Sequence, residues 1–332
     1  MGRTLSLVQS NVSSAVSNVN AVKTAPPGYL GSFGIGLWRL FLVPGTYTFT
    51  VPFGVYAIRV RVIGAGGNGP KGGGTGGAGG GYAHGVFSVT PGQQITIVVG
   101  KGGSRVSDNS QLVVGGTSSF GNLISATGGE PGALAADFEN EGGVGIGGDF
   151  QARGGRGSKV APSHISGGGG AAGSQLGDGG HGGDYADGSG NGSAGGGGIC
   201  NDGGGRDSEG FDCTGGGSPF SPGDFNEYFG GVDLTGDSYE SNPINAVLRF
   251  PFDGFTGCGG RGNSSDETIN GGIGGGGGGA DSNVGEGGNG GVGAGGGGGY
   301  TIGGAGGLGG GGGAGRYNYG GPGGDGGVIL EW

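Results

Sequence analysis

Glycine fills 106 of the 332 positions, so long runs of this chain have almost no side chains to bury. Glycine loses more backbone freedom on ordering than any other residue, and ordering costs on the order of 1–2 kcal/mol per residue. Such runs have two outcomes. They stay slack as linkers, or neighbouring runs approach closely enough to satisfy one another's amides and carbonyls, with weak Cα–H···O contacts adding to the bond. The stretch 271–327 poses the choice most sharply. Its glycine runs are broken by Ile273, Val284, Val292, Tyr300, Ile302 and Leu308, and it finishes on the strand-like Val328-Ile329-Leu330-Glu331-Trp332. Serine is sparse inside the runs, single apolar residues suit the outer faces of a packed layer, and the closing strand needs partners. These features favour a lattice of polyglycine II helices over a flexible tail. A collagen triple helix is excluded, because there is no strict Gly-X-Y register and only 13 prolines are present.

Taken in order, the chain begins with Leu5, Val8, Val12, Ala15, Val19 and Val22, whose steps of three and four make a heptad seam. Valine at both seam positions leans towards more than two strands. Residues 1–25 are therefore expected to form a short coiled-coil stalk and a homotrimer. The rival reading is a leader with accidental spacing, since the surrounding Ser and Asn are poor helix formers. Pro26-Pro27-Gly28 opens a linker over 26–36. From Leu37 the period becomes two: Tyr47, Phe49 and Val51 alternate with threonines, and Ile58, Val60 and Val62 with Arg59 and Arg61. Strands are also expected over 82–90, at Ile95, Ile97 and Val99, and at 112–114, 118–120 and 123–126. The expected β domain spans 37–130, is closed by 328–332 and has a sandwich-like or open-barrel form. Residues 131–327 are the expected glycine-rich tip, with an aromatic insertion at 206–256. The fold class is then mostly β with polyglycine II helices. It comprises a short N-terminal coiled-coil stalk, a β-sandwich-like base and a glycine-rich helical lattice inserted before the last strand.

The series Val51-Pro-Phe-Gly-Val, Ile58-Arg-Val-Arg-Val-Ile-Gly-Ala-Gly-Gly, Gly79-Gly-Gly-Tyr-Ala, Val89-Thr-Pro-Gly-Gln, Ile97-Val-Val-Gly-Lys-Gly-Gly, Gly115-Gly-Thr-Ser-Ser-Phe-Gly and Ala126-Thr-Gly-Gly resembles the glycine-rich domain of bacteriophage tail-fibre and receptor-binding proteins. The closing Gly324-Asp-Gly-Gly-Val-Ile-Leu-Glu-Trp is similar to that domain's last strand. The middle runs also look like the polyglycine sandwich of tail-fibre tip adhesins in T-even-like phages, where distal loops contact a host receptor. The heptad-like leader and the aromatic block at 206–256 depart from that pattern and favour a self-contained oligomeric fibre. The resemblance implies host attachment and a place in the virion, after synthesis in the host cytoplasm. It also implies a cell-surface receptor, either a glycan or an outer-membrane protein, and tail or baseplate partners for the N-terminus.

The remaining signals are mostly exclusions. A net charge of −10 without a basic stripe argues against nucleic acid. No apolar run is long enough to cross a bilayer, and the N-terminus lacks a signal peptide's apolar stretch. Cys200, Cys213 and Cys258 have no ligand spacing; they suit small buried residues or one disulfide. GxGxxG matches arise by chance in such a chain, and Lys71 lacks the Walker context. Gly179-Gly-His-Gly-Gly-Asp-Tyr-Ala-Asp187 matches part of a calcium nonapeptide, but no second copy stacks on it. His84, His164 and His181 are isolated. No metal, cofactor or catalytic residue is expected.

Binding is expected where glycine stops. Phe220, Phe225, Tyr228, Phe229, Tyr239 and Arg249 of the aromatic block can stack on sugar faces or anchor protein contacts; equally, they can form a small satellite core. Tyr317 and Tyr319, in the turn Arg316-Tyr-Asn-Tyr319, are a second candidate. The expected function is adhesion to a host cell through loops on a glycine scaffold, strengthened by avidity. The rival readings are a fibre-borne polysaccharide depolymerase, which would need a carboxylate pair such as Asp233 and Asp237 across a groove, and a non-phage structural or ice-binding protein.

Overall fold

The computed structural model describes residues 37–134, 139–158, 165–184, 192–199, 202–203, 215–216, 270–271, 274–280 and 285–332. Its strands are β1 (Trp38–Phe41), β2 (Gly45–Thr50), β3 (Ala57–Ile63), β4 (Tyr82–Ser88), β5 (Gln94–Val99), β6 (Ser118–Phe120), β7 (Ile124–Ala126), β8 (Gly145–Gly147), β9 (Phe150–Ala152), β10 (Ile165–Ser166), β11 (Gly192–Ser193) and β12 (Gly327–Glu331). Two five-stranded antiparallel sheets result, in the orders β1-β12-β3-β4-β9 and β2-β5-β6-β7-β8, while β10 and β11 form a small parallel pair.

The two-residue period of β3 puts Ile58, Val60 and Val62 in the core. They meet Phe49, Ile95, Ile97, Phe120 and Ile124 of the second sheet, together with Val328 and Leu330 of β12. The C-terminal strand lies between β1 and β3, with Val328 opposite both Val62 and Phe41. Its Glu331 reaches Arg59 at 3.3 Å and Arg61 at 2.5 Å on the outer face. Trp332 closes the core against Phe49, ring centroids 5.5 Å apart. The sheets run on past residue 130, where the hairpin of β8 and β9 adds an edge strand to each. The strand expected over 112–114 is not formed; that loop carries a 3-10 turn at Asn109–Gln111, capped by Asp108.

The expected fold class is corrected here. Among the described residues the protein is mostly β-sheet with essentially no helix, Asn109–Gln111 being the one helical element. Neither a lattice of glycine helices nor a coiled-coil stalk is seen; the seam Leu5, Val8, Val12, Ala15, Val19 and Val22 itself lies outside the described residues. The glycine runs are segments cross-bonded sideways to other runs. Residues 310–314 illustrate the wiring. Gly312 donates to Gly67, Gly311 to Gly170, Gly313 to Gly304 and Ala314 to Gly167, while Gly77, Gly296, Gly299, Gly321 and Gly324 donate back into the same segment. A strand in a sheet has a neighbour on either side; this segment is bonded all round.

Such spacing leaves no room for a side chain. A Cβ on Gly66 would fall on the Gly310 carbonyl, and one on Gly311 on that of Gly77. Alanine enters where a gap is left, as at Ala78, Ala171, Ala294 and Ala314, all fully buried. Buried polar side chains pin the register. Asn68 donates to the Ser104 and Gln111 carbonyls and accepts from Val113, and Asn140 links Gly76 to Gly157.

The runs leave the sandwich and return to it. Residues 64–69 follow β3 and 76–81 lead into β4, so the turn between them lies at the far end of the array. Bridges gather the other far turns beside it: Lys71 with Gly315, Ile302 with Tyr319, and Val106 with Gly320. Asn109 fastens the 3-10 turn to both the N–H and the carbonyl of Lys71.

Candidate functional site

At this far end two turns that interrupt glycine runs hold each other. Arg316, Tyr317, Asn318 and Tyr319 donate their N–H groups to the carbonyls of Gly299, Tyr300 and Thr301. Thr301 in turn bonds to the Gly285 carbonyl. The backbone of the turn is thus fixed, and its side chains form a ledge.

Arg316 stacks on two rings, its guanidinium carbon 5.0 Å from the Tyr300 centroid and 4.9 Å from that of Tyr317. The two rings are 4.8 Å apart and tilted by 48°, and their hydroxyls meet at 3.4 Å. That hydroxyl contact, followed by desolvation, raises the Tyr300 pKa against the opposing pull of Arg316. Arg105 lies over Tyr319 at 5.8 Å. Each cation–π contact is worth about 0.5–1 kcal/mol at an exposed position. Tyr317 and Tyr319 remain 49% and 40% exposed, enough for contact with another molecule. Nη1 of Arg316 is buried and has no hydrogen-bond partner among the described residues.

The structure therefore places Tyr317 and Tyr319 together and adds Tyr300, Arg316 and Arg105 to them. Tyr300 has a signal of its own in the sequence, since it ends a glycine run, whereas Arg105 follows Ser104 and has none. Phe220, Phe225, Tyr228, Phe229, Tyr239 and Arg249 lie outside the described residues, as do Cys200, Cys213, Cys258 and His164.

A second cluster lies on the outer face of the first sheet. His84 stacks on Phe150, centroids 5.3 Å apart, and Tyr82 meets both rings edge-on. Burial pushes the Tyr82 hydroxyl up to about 12, with Arg61 opposing. Burial, then the nearby Arg61 charge, lowers His84, and Asp149 opposes this. Among the described residues neither the Tyr82 hydroxyl nor His84 Nδ1 has a hydrogen-bond partner. Among the described residues no carboxylate is bonded to the His84 Nδ1, and its ring packs against Phe150 and Tyr82.

Two other features bear on function. An open cleft of about 510 Å³ is lined by Leu42, Lys101, Leu308, Pro322, Asp325 and several glycines. Asp325 is engaged by the Gly102 N–H. In the calcium-like stretch, Asp184 grips Arg156 with both carboxylate oxygens and raises its pKa. Among the described residues no group of acidic, His or Cys side chains could hold a metal ion, and no helix is long and apolar enough to cross a membrane.

Fold and ledge together define a β-sandwich that carries a backbone-bonded glycine array and displays side chains at its far end. The chain belongs to the glycine-rich domain family, whose model matches residues 42–295. Among curated proteins, no sequence matches it.

Proposed function

We propose that this protein is an adhesin: a phage tail-fibre or receptor-binding protein that attaches to a host cell surface through the far turns of its glycine array. The carrying observation is the ledge itself. Exposed aromatic rings and guanidinium groups gather at the end of a glycine-rich scaffold. Rigid aromatic and arginine side chains are the usual anchors of a binding surface, and the interlocked turns hold these ones in place before contact. In this reading three copies assemble, other tail proteins hold the N-terminus, and several weak ledges act together on one cell. No catalytic step is assigned.

The test is attachment of the purified full chain to cells of candidate hosts. The expected result is saturable attachment that falls about tenfold or more in the double variant Tyr317→Ala/Tyr319→Ala, tenfold being 1.4 kcal/mol. Attachment that survives this change but is lost on deleting 206–256 would move the site to the aromatic block. Loss in neither would contradict the proposal.

A further inference from the structure

The ledge also has a charge pattern that narrows what it can hold. The protein carries 25 acidic against 15 basic residues, yet cations converge here: Arg316, Arg105 and, beside Gly315, Lys71. Among the described residues none of them pairs with a carboxylate, whereas Arg59, Arg61 and Arg156 all do. The nearby Asp108 is occupied in capping the 3-10 turn through the Ser110 N–H. Stacking takes the face of a guanidinium and leaves its N–H edge free. Arg316 Nη1 itself is buried and unmatched among the described residues, so a ligand meets the other N–H groups of that edge and those of the exposed Arg105. The acceptor that fits a planar guanidinium edge is an oxyanion, and exposed tyrosine rings beside it offer an apolar wall to a sugar.

We infer that the ledge binds an anionic glycan, a sugar whose carboxylate or phosphate lies on Arg316 or Arg105 and whose ring lies against Tyr317 or Tyr319. This rests on the adhesion reading for its biological setting, though not for its geometry. Recognition is in-plane and bidentate, so lysine does not replace Arg316. A neutral sugar leaves both guanidinium edges unmatched. A glutamate-rich peptide supplies carboxylates without the sugar ring.

The experiment is calorimetric titration of the full chain at low and high salt with four probes: oligogalacturonate, a hexose phosphate, a neutral dextran fragment and a glutamate-rich peptide. At least one of the two anionic sugars is expected to bind and to weaken with salt, and which one binds identifies the source of the oxyanion. Arg316→Gln and Arg316→Lys are each expected to weaken that binding by about tenfold or more. Arg105→Gln weakens it less. Unaltered circular dichroism and melting of each variant confirm that the ledge, not the fold, has changed. Binding of dextran or the peptide as strong as that of the acidic sugars, no binding of either acidic sugar, or indifference to Arg316→Gln overturns the inference. Cell attachment that needs Tyr317 and Tyr319 but ignores Arg316 and added oligogalacturonate sinks the ligand class and leaves adhesion standing. Acidic-sugar binding without cell attachment does the reverse.

Discussion

The sandwich and the glycine array are both dense, but for opposite reasons. In the sandwich, chains stand apart and side chains such as Phe49, Ile97 and Phe120 fill the gap. In the array the backbones themselves are in contact, and the carbonyl of one run occupies the place where a neighbour's Cβ would be. The first is held by apolar area removed from water. The second is held by amide-to-carbonyl bonds and close dispersion contacts, which have to offset the large ordering entropy of glycine. Substitution should therefore have opposite signs in the two regions: removing atoms harms one, and adding them harms the other.

The largest expected effect is Phe120→Ala, which empties the centre of the shared core and should cost about 3–5 kcal/mol in denaturant unfolding. Gly311→Ala comes next. It adds a single methyl group against backbone that cannot rotate away, so its cost should reach the top of the about 1–3 kcal/mol range for overpacking. If Gly311→Ala proves as mild as a surface change, the contrast between the regions fails. Gly54→Ala sharpens the contrast. Gly54 has open space around it but a φ of +83°, so only conformational strain remains, about 1–2 kcal/mol.

Tyr82→Phe should be stabilising by about 1 kcal/mol, because it removes a buried hydroxyl with no partner. It should also alter the alkaline limb. The folded state keeps this proton to about 12 while the unfolded state releases it near 10.0. The contribution is complete below pH 10.0 and lost as pH rises through about 12. Thermal melts between those limits should lose that slope in the variant. The smallest effect is at His84, whose lowered pKa means that the unfolded state takes up a proton first. Its contribution is present above pH 6.5 and lost as pH falls below it. His84→Phe should flatten the acid limb of the melting curve.

The sandwich is the part most legible in the sequence, because its strands announce themselves by period. Ile58, Val60 and Val62 against Arg59 and Arg61 fix which face of β3 is buried. The apolar VILEW needs a sheet to join. The short strands β8 and β9 gave no such signal, since Gly145 and Gly147 have no side chain to alternate. Between slack and packed glycine, composition leaned the right way, but helices were the wrong form of packing. The wiring could not be read either: a glycine run slid along its neighbour looks the same, and register comes from sparse plugs such as Asn68 and Asn140. Tyr317 and Tyr319 were visible as places where glycine stops. Their partner Arg105 was not, because 214 residues of chain, 319 − 105, separate it from Tyr319, and only the folded array brings the two together.

The central claim is that the glycine array is a backbone-bonded solid as well formed as the sheets. Amide hydrogen exchange of the full chain, resolved along the sequence, tests it directly. The account predicts that amides in 66–69, 76–81, 167–171 and 310–314 are protected to the same order as those of β3 and β5. Exchange in those runs at the rate of an unfolded chain, with β3 and β5 protected, would contradict it and return the glycine to slack.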